Sequence, residues 1–230
     1  MKILALETSA KACSVAILED ENLMGEVFLE QARTHSETLL PAVHYLLESQ
    51  KLSVADMDKI AVGVGPGSFT GLRIAVATAK GLAYAGDKPL VGVSSLEAMA
   101  YGVKDIGTGL LCPVMDARRQ QVYNALFTIE ENRIIRQVED RAIEIEALFA
   151  QTKEKVTLFG DGATLVAQWA KEQGIAVTLL DQHRLHQRAL GVGLVALGKV
   201  GQKVHDVNPQ YIRPTSAQRE REEKNLLAKE

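Results

Sequence analysis

The sequence predicts an α/β protein built from two copies of one unit, and three observations predict it. Each half opens with an apolar strand, a polar turn, a returning strand, a second turn and a third strand, at residues 3–29 and again at 110–138. In both halves the first strand runs into an acidic residue, Glu7 and then Asp116, and the second turns align as Glu21-Asn22 and Glu131-Asn132. Helix and strand then alternate to the end of each half, as they do where crossover helices join the strands of a partly parallel sheet. The two units are placed at 1–106 and 107–215. A charged tail at 216–230 is expected to fray or to pack back on the first unit.

Taken in order, residues 3–6 form the first strand, 13–18 the return after the turn at Ala10-Lys11, and 23–29 the third strand. Thr34 with Glu37 has capping-box spacing before a helix at 36–48, striped by Leu39, Leu40, Val43, Leu46 and Leu47. Pro41 sits early enough in that helix to be tolerated. A polar turn at 53–58 leads to a strand at 60–64; a further strand follows at 89–93 and a short helix at 95–101. In the second half the strands are read at 110–115, 122–129, 133–138, 155–159 and 175–180. Its helices are read near 143–151, at 164–173 after Gly160-Asp161-Gly162-Ala163, and at 190–203, with an extended stretch at 208–213.

The chain is organised around residues 63–85, GVGPGSFTGLRIAVATAKGLAYA. A strand ends in Gly65-Pro66-Gly67, Ser68 or Thr70 supplies an N-cap hydroxyl, and a long helix follows. The free N–H groups of its first turn make Gly67 and Ser68 a candidate anion site. No Lys follows the glycines as in a phosphate-binding P-loop, and Ser68 lacks the flanking glycines of a nucleophile elbow. Gly71, Ala75, Ala79 and Ala83 recur every four residues as a ridge of small side chains, and Arg73 is among the few polar positions. A helix apolar nearly all round is buried on more than one side. A sheet covers one face; the small ridge suits a second helix packed close, from another subunit or from within the same chain.

Composition bounds the function. Of 230 residues, 47% are hydrophobic and 24% charged, ordinary for a globular protein. The formal net charge of −3 argues against an independent nucleic-acid binder. Cys13 and Cys112 cannot build a disulfide framework and are read as reduced and buried. The N-terminus does not read as a signal peptide, and no apolar run approaches the ~20 residues of a membrane span, so a cytoplasmic location is expected.

A duplicated three-strand-then-α/β unit with an acid at each first strand end is the layout of the actin/hexokinase/Hsp70-like (ASKHA, ribonuclease H-like) fold. In that layout Glu7 and Asp116 would face each other across a cleft, Thr8 and Ser9 would form the first phosphate turn, and residues 160–163 would lie near the adenosine position. Two carboxylates can hold a hydrated magnesium ion and orient a nucleophile. An ATP-binding kinase or ATPase on this fold is therefore one functional reading.

The residues also carry a resemblance. ILALETSAKACSVAI, RTHSETLLP, VGPGSFTGLRIAVATAKGLA, PVMDARRQQVY and the late Pro209-Gln210-Tyr211-Ile212-Arg213 resemble the successive motifs of the bacterial TsaB (YeaZ) family. The resemblance implies a non-catalytic partner of TsaD in making N6-threonylcarbamoyladenosine in tRNAs that read codons beginning with A, with TsaE, an ATPase, joining the pair. It implies no cofactor for this chain by itself, ATP within the complex, tRNA reached only through the complex, and a homodimer when alone. The expected assembly surface is Leu39, Val43 and Leu47 on the first helix with Gly71, Arg73, Ile74, Ala75 and Ala79 on the second. Two departures stand out: Glu7 where the family more often has Asp, and Gln120-Gln121 in place of Gly-Glu.

The catalytic relatives carry His-x-x-x-His on a helix, which sets two imidazoles on one face for a metal. Here Leu39 stands four residues after His35 and Glu48 four after His44, so neither forms the pair. His183 and His186 fall in a polar stretch read as solvated, and no nucleophile, base and orienting acid line up as in a peptidase.

Overall fold

A computed structural model describes residues 1–30, 34–107, 109–131, 133–150 and 155–213. The expected tail at 216–230 lies outside the described residues. The first unit contains β1 (Lys2–Glu7), β2 (Cys13–Glu19), β3 (Asn22–Leu29), α1 (His35–Ser49), β4 (Lys59–Gly65), α2 (Phe69–Gly86), β5 (Leu90–Ser94) and α3 (Ser95–Gly102). The second follows with β6 (Leu110–Asp116), β7 (Gln121–Glu130), β8 (Arg133–Glu144), α4 (Ile145–Ala150), β9 (Val156–Phe159), α5 (Ala163–Glu172), β10 (Thr178–Leu179) and α6 (Ala189–Leu197).

The two sheets run β3-β2-β1-β4-β5 and β8-β7-β6-β9-β10. Position for position this is one topology used twice. In each sheet the first strand lies at the centre, antiparallel to the hairpin strand and parallel to the strand reached through a helix. The duplicated α/β fold expected from the sequence is the fold observed.

Alternation along the strands sorts the core. Leu4 and Leu6 of β1, with Val15, Ile17, Ile60 and Val62, face α1 and α2. Ile3 and Ala5, with Ala16, Ala61 and Val93, face the other way, against α3 and α6. Successive strand side chains point to opposite faces, so a continuous apolar run such as that of β1 reads as a strand covered on both sides. Leu96, Met99 and Ala100 of α3 also pack on Phe127 and Phe159 of the second sheet, so α3 is shared between the units.

The small ridge is covered from inside the chain. Gly71, Ala75, Ala79 and Ala83 are buried against the first sheet, as are Leu39, Val43, Leu46 and Leu47 of α1. Six of the residues expected at a subunit contact (Leu39, Val43, Leu47, Gly71, Ala75 and Ala79) are therefore core residues. The physical reason is the close approach of α2 to the Glu7–Ser9 turn. A Cβ at position 71 would overlap the Thr8 carbonyl, so the small side chains let α2 lie down on its own sheet.

Three boundaries differ for local reasons. The helix read at 190–203 ends at Leu197, because Gly198 caps it and the chain turns back to bridge Gln202 to Leu90 on the edge of the first sheet. The strand read at 175–180 shrinks to Thr178–Leu179, since Ile175 donates its N–H to the Ala170 carbonyl and closes α5 instead. The third strand of the second half runs on to Glu144, extending its pairing with β7 through two register shifts. Helix α6, late in the sequence, packs on the first sheet with α3, and the Cβ that Gly191 lacks would meet the Ala98 carbonyl.

Ala79→Leu is expected to overfill this interior and destabilise the isolated chain by ~1–3 kcal/mol. Thermal melting reads it as a lower Tm; an unchanged Tm with loss of an oligomer would place the ridge at a subunit contact instead.

Candidate functional site: a cleft between the units and the outer faces of two helices

Glu7 ends β1 with its carboxyl inside the protein, 1% exposed. The Ser9 N–H donates to Glu7 Oε1 at 2.6 Å, and the Ser95 hydroxyl, on the first residue of α3, donates to Oε2 at 3.2 Å. A Cβ on Gly63 of the neighbouring strand would overlap Oε2, so glycine there is what leaves room for the carboxyl. Burial pushes the Glu7 pKa up, with hydrogen bonding from Ser9, Ser95 and Thr8 opposing it.

The turn after Glu7 is sewn to the start of α2. Thr8 Oγ1 donates to the Gly71 carbonyl at 2.9 Å, and the Ser68 N–H donates to the Ser9 carbonyl at 2.7 Å. Ser68, rather than Thr70, is the N-cap, its Oγ accepting from the Gly71 N–H at 3.3 Å. Above this seam lies a cleft of about 1140 Å³, walled by Ser9, Lys11, Gly67 and Ser68 from the first unit and by Asp116 and Asp161 from the second.

Glu7 and Thr8 do not line the cleft. Of the expected nucleotide set, the fold brings Ser9, Gly67, Ser68 and Asp116 to one space and spends Glu7 and Thr8 on internal hydrogen bonds. Asp116 accepts from the Arg118 N–H at 2.7 Å. Asp161, within the 160–163 stretch expected near the adenosine position, accepts from Gln187 Nε2 at 2.8 Å. Its pKa is raised, first by the water it loses between the cleft walls and further by Asp116 nearby, with Gln187 opposing. The glycine-flanked Asp in Gly160-Asp161-Gly162 was the available signal. Of the two acids expected to face each other across the cleft, Asp116 lines it and Glu7 does not, while Asp161 joins Asp116 from the same unit.

The turn between β6 and β7 holds Arg118, Arg119 and Gln120 at φ of +65°, +55° and +58°. Gln120 occupies the position where the family pattern has Gly, and a side chain there strains the backbone. His186, read as solvated, instead packs its ring 5.3 Å from that of Phe28. His35 Nε2 lies 2.8 Å from the Ala10 carbonyl, which holds its ring in the wall of the cleft. Among the described residues, no three His, Cys, Asp or Glu side chains gather as a metal site.

The other expected surface changes its membership. Arg73 is exposed and Ile74 half-buried on α2, while Ala77, Gly81 and Tyr84 open outward beside them, Tyr84 at 84%. Space around Gly81 is empty to 4 Å. On α1 the exposed large apolar residues are Leu40 and Tyr45, at 54% and 65%, among polar neighbours such as His44 and Glu48. The two helices pack side by side, so these residues share one side of the molecule.

The comparisons define first a class. Residues 22–196 match the family model described as TsaD, tRNA N6-adenosine threonylcarbamoyltransferase. The tRNA threonylcarbamoyladenosine biosynthesis protein TsaB of Bacillus subtilis is 33% identical over 225 residues, covering 95% of this chain and 96% of that protein. TsaB of Escherichia coli is 33% identical over 77% of this chain and 78% of its own length. The solved structure of YeaZ from Pseudomonas aeruginosa superposes with a TM-score of 0.77 at 28% identity, over 91% of this chain and 99% of that one. This chain belongs to the TsaB (YeaZ) family.

Two outcomes follow from the site. A carboxyl whose pKa is raised by folding binds its proton more tightly in the native state, so it costs stability as pH rises above the ordinary value of 4.5. Denaturant unfolding of parent and Glu7→Gln should therefore show the variant gaining on the parent as pH climbs from that value until Glu7 is fully ionised; a difference independent of pH would refute the buried carboxyl. Gln120→Gly should relieve about 1 kcal/mol of left-handed strain and raise Tm.

Proposed function

We propose that this chain is the supporting partner subunit of a tRNA threonylcarbamoyladenosine synthesis complex, pairing with TsaD through the outer faces of α1 and α2, with TsaE joining the pair. The observation that carries the reading is the paired outward face itself. Leu40 and Tyr45 are exposed on α1, and Arg73, Ala77, Gly81 and Tyr84 are exposed on the neighbouring α2, with Ile74 half-buried. Exposed aromatics and an arginine around small residues that admit a neighbouring helix closely are the composition of an interface core. The match of residues 22–196 to the TsaD family model supports a partner with helices equivalent to α1 and α2, and the contact proposed is a pseudo-symmetric pair of helix pairs. A second copy of this chain would use the same face when TsaD is absent, and TsaD would displace it.

Glu7, held inside by Ser9, Ser95 and the gap at Gly63, supports a role without turnover of its own. ATP enters the proposed function through the assembled complex, and tRNA does so through surfaces the complex supplies. A net charge of −3 leaves the isolated chain with weak, salt-sensitive affinity for tRNA.

Gly81→Leu tests the reading. The open space at that position lets the isolated chain accept the side chain with an unchanged or slightly raised Tm, since Gly is poor in a helix interior. Co-elution with TsaD on gel filtration should fall by roughly five- to a hundredfold in apparent affinity, the cost of ~1–3 kcal/mol for overfilling a packed contact. Co-elution at parental strength would remove this face from the assembly.

A further inference from the structure

The stretch 207–213, which carries the Pro209-Gln210-Tyr211-Ile212-Arg213 motif, has no regular secondary structure, yet it is fixed along its length. Val207 is buried in the core of the first unit. Asn208 Oδ1 accepts from Lys80 Nζ of α2 at 3.2 Å. The Gln210 N–H donates to the Val64 carbonyl at 2.7 Å, at the end of β4. Tyr211 then reaches the first turn of α2: its ring lies 4.9 Å from that of Phe69, and its hydroxyl accepts from Arg73 Nε at 3.0 Å. The Arg73 guanidinium also sits 4.0 Å over the Phe69 ring. Two residues on, Arg213 Nη1 donates to the Ala117 carbonyl of the second unit at 2.7 Å. Ala117 opens the strained turn of Arg118, Arg119 and Gln120, its N–H donating to the Gln121 carbonyl.

We infer that residues 207–213 act as a clasp with two jobs: Arg213 ties the rim of the second unit to the first, and Tyr211 is a positioning residue that holds Arg73 rigid on the assembly face of α2. The chemistry supports each half. A guanidinium bonded to a carbonyl is charge-assisted and stronger than a neutral pair, and this one joins a segment anchored on the first sheet to the β6–β7 turn of the second. A free arginine on a helix surface carries much rotamer entropy, which an interface must remove on binding. Arg73 is already held by a hydroxyl and an aromatic face, so less is left to lose when a partner's acceptor meets its remaining N–H groups. Tyr211 is 42% exposed, so the ring that positions Arg73 is part of the presented surface. The second job rests on the reading that α2 faces a partner; the first does not.

The test uses the full chain, alone and with TsaD. In the chain alone, Arg213→Ala should raise amide hydrogen exchange in the turn 117–121 about tenfold, as expected for loss of one charge-assisted bond, with little change in Tm. With TsaD, Tyr211→Phe keeps the ring and removes the hydroxyl, and should weaken association about three- to tenfold. Arg73→Ala in the Tyr211→Phe background should then cost less than it does in the parent, since the two act through one contact. Unchanged exchange in Arg213→Ala overturns the clasp. Full, additive losses from Tyr211→Phe and Arg73→Ala overturn the positioning role. If the parent chain does not bind TsaD at all, the reading of the α2 face fails and the positioning role with it, while the exchange result still decides the tie between units.

Discussion

The structure depends on a seam between backbones. The Glu7–Ser9 turn and the start of α2 touch so closely that Gly71 has no room for a side chain, and Thr8 and Ser68 stitch the two with hydrogen bonds. That approach fixes the height of α2 over the first sheet, which makes its small residues an inner face. The same seam sets the floor of the cleft and closes it over Glu7. One steric constraint thus decides which helix face is left outward and which acid is withdrawn from solvent.

Withdrawal of Glu7 changes what the fold can do. A duplicated fold of this kind offers an acid at the equivalent strand end of each unit, and here the two acids have diverged in environment. Asp116 stands open at the cleft and is held by the amide of Arg118. Glu7 has become structural, linking β1, β4 and α3 through Ser9, Gly63 and Ser95. Beside it, the Ser94 hydroxyl donates to Asp140 of β8 at 2.5 Å while capping α3. The first turn of α3 therefore receives a carboxylate from each unit, favourable at a helix N-terminus, and holds the units at a set distance.

Much of this was legible in the sequence. The repeated hairpin-and-strand pattern gave the duplication of the α/β unit, while the strand order within each sheet is seen in the structure. Thr34 with Glu37, Ser68, and the apolar run of β1 each marked its element by local chemistry. The orientation of α2 was not legible. A helix with apolar residues nearly all round has no single preferred face, and what chooses one is the Thr8 carbonyl, far away in the chain. The burial of Glu7 was hidden for the same reason, since Gly63 and Ser95 meet it only after folding. The return of α6 to the first sheet left no local mark beyond Gly191 and Gly193, whose missing side chains admit α3 and Leu18.

In the proposed function the outer faces of α1 and α2, not the cleft, meet TsaD. Hydrogen-exchange footprinting of the chain with and without TsaD should then show protection concentrated in α1 around Leu40–Tyr45 and in α2 around Arg73–Tyr84, with the β6–β7 turn and the cleft residues Ser9 and Asp161 little changed. Protection centred on the cleft, with both helices exchanging as in the free chain, would contradict it.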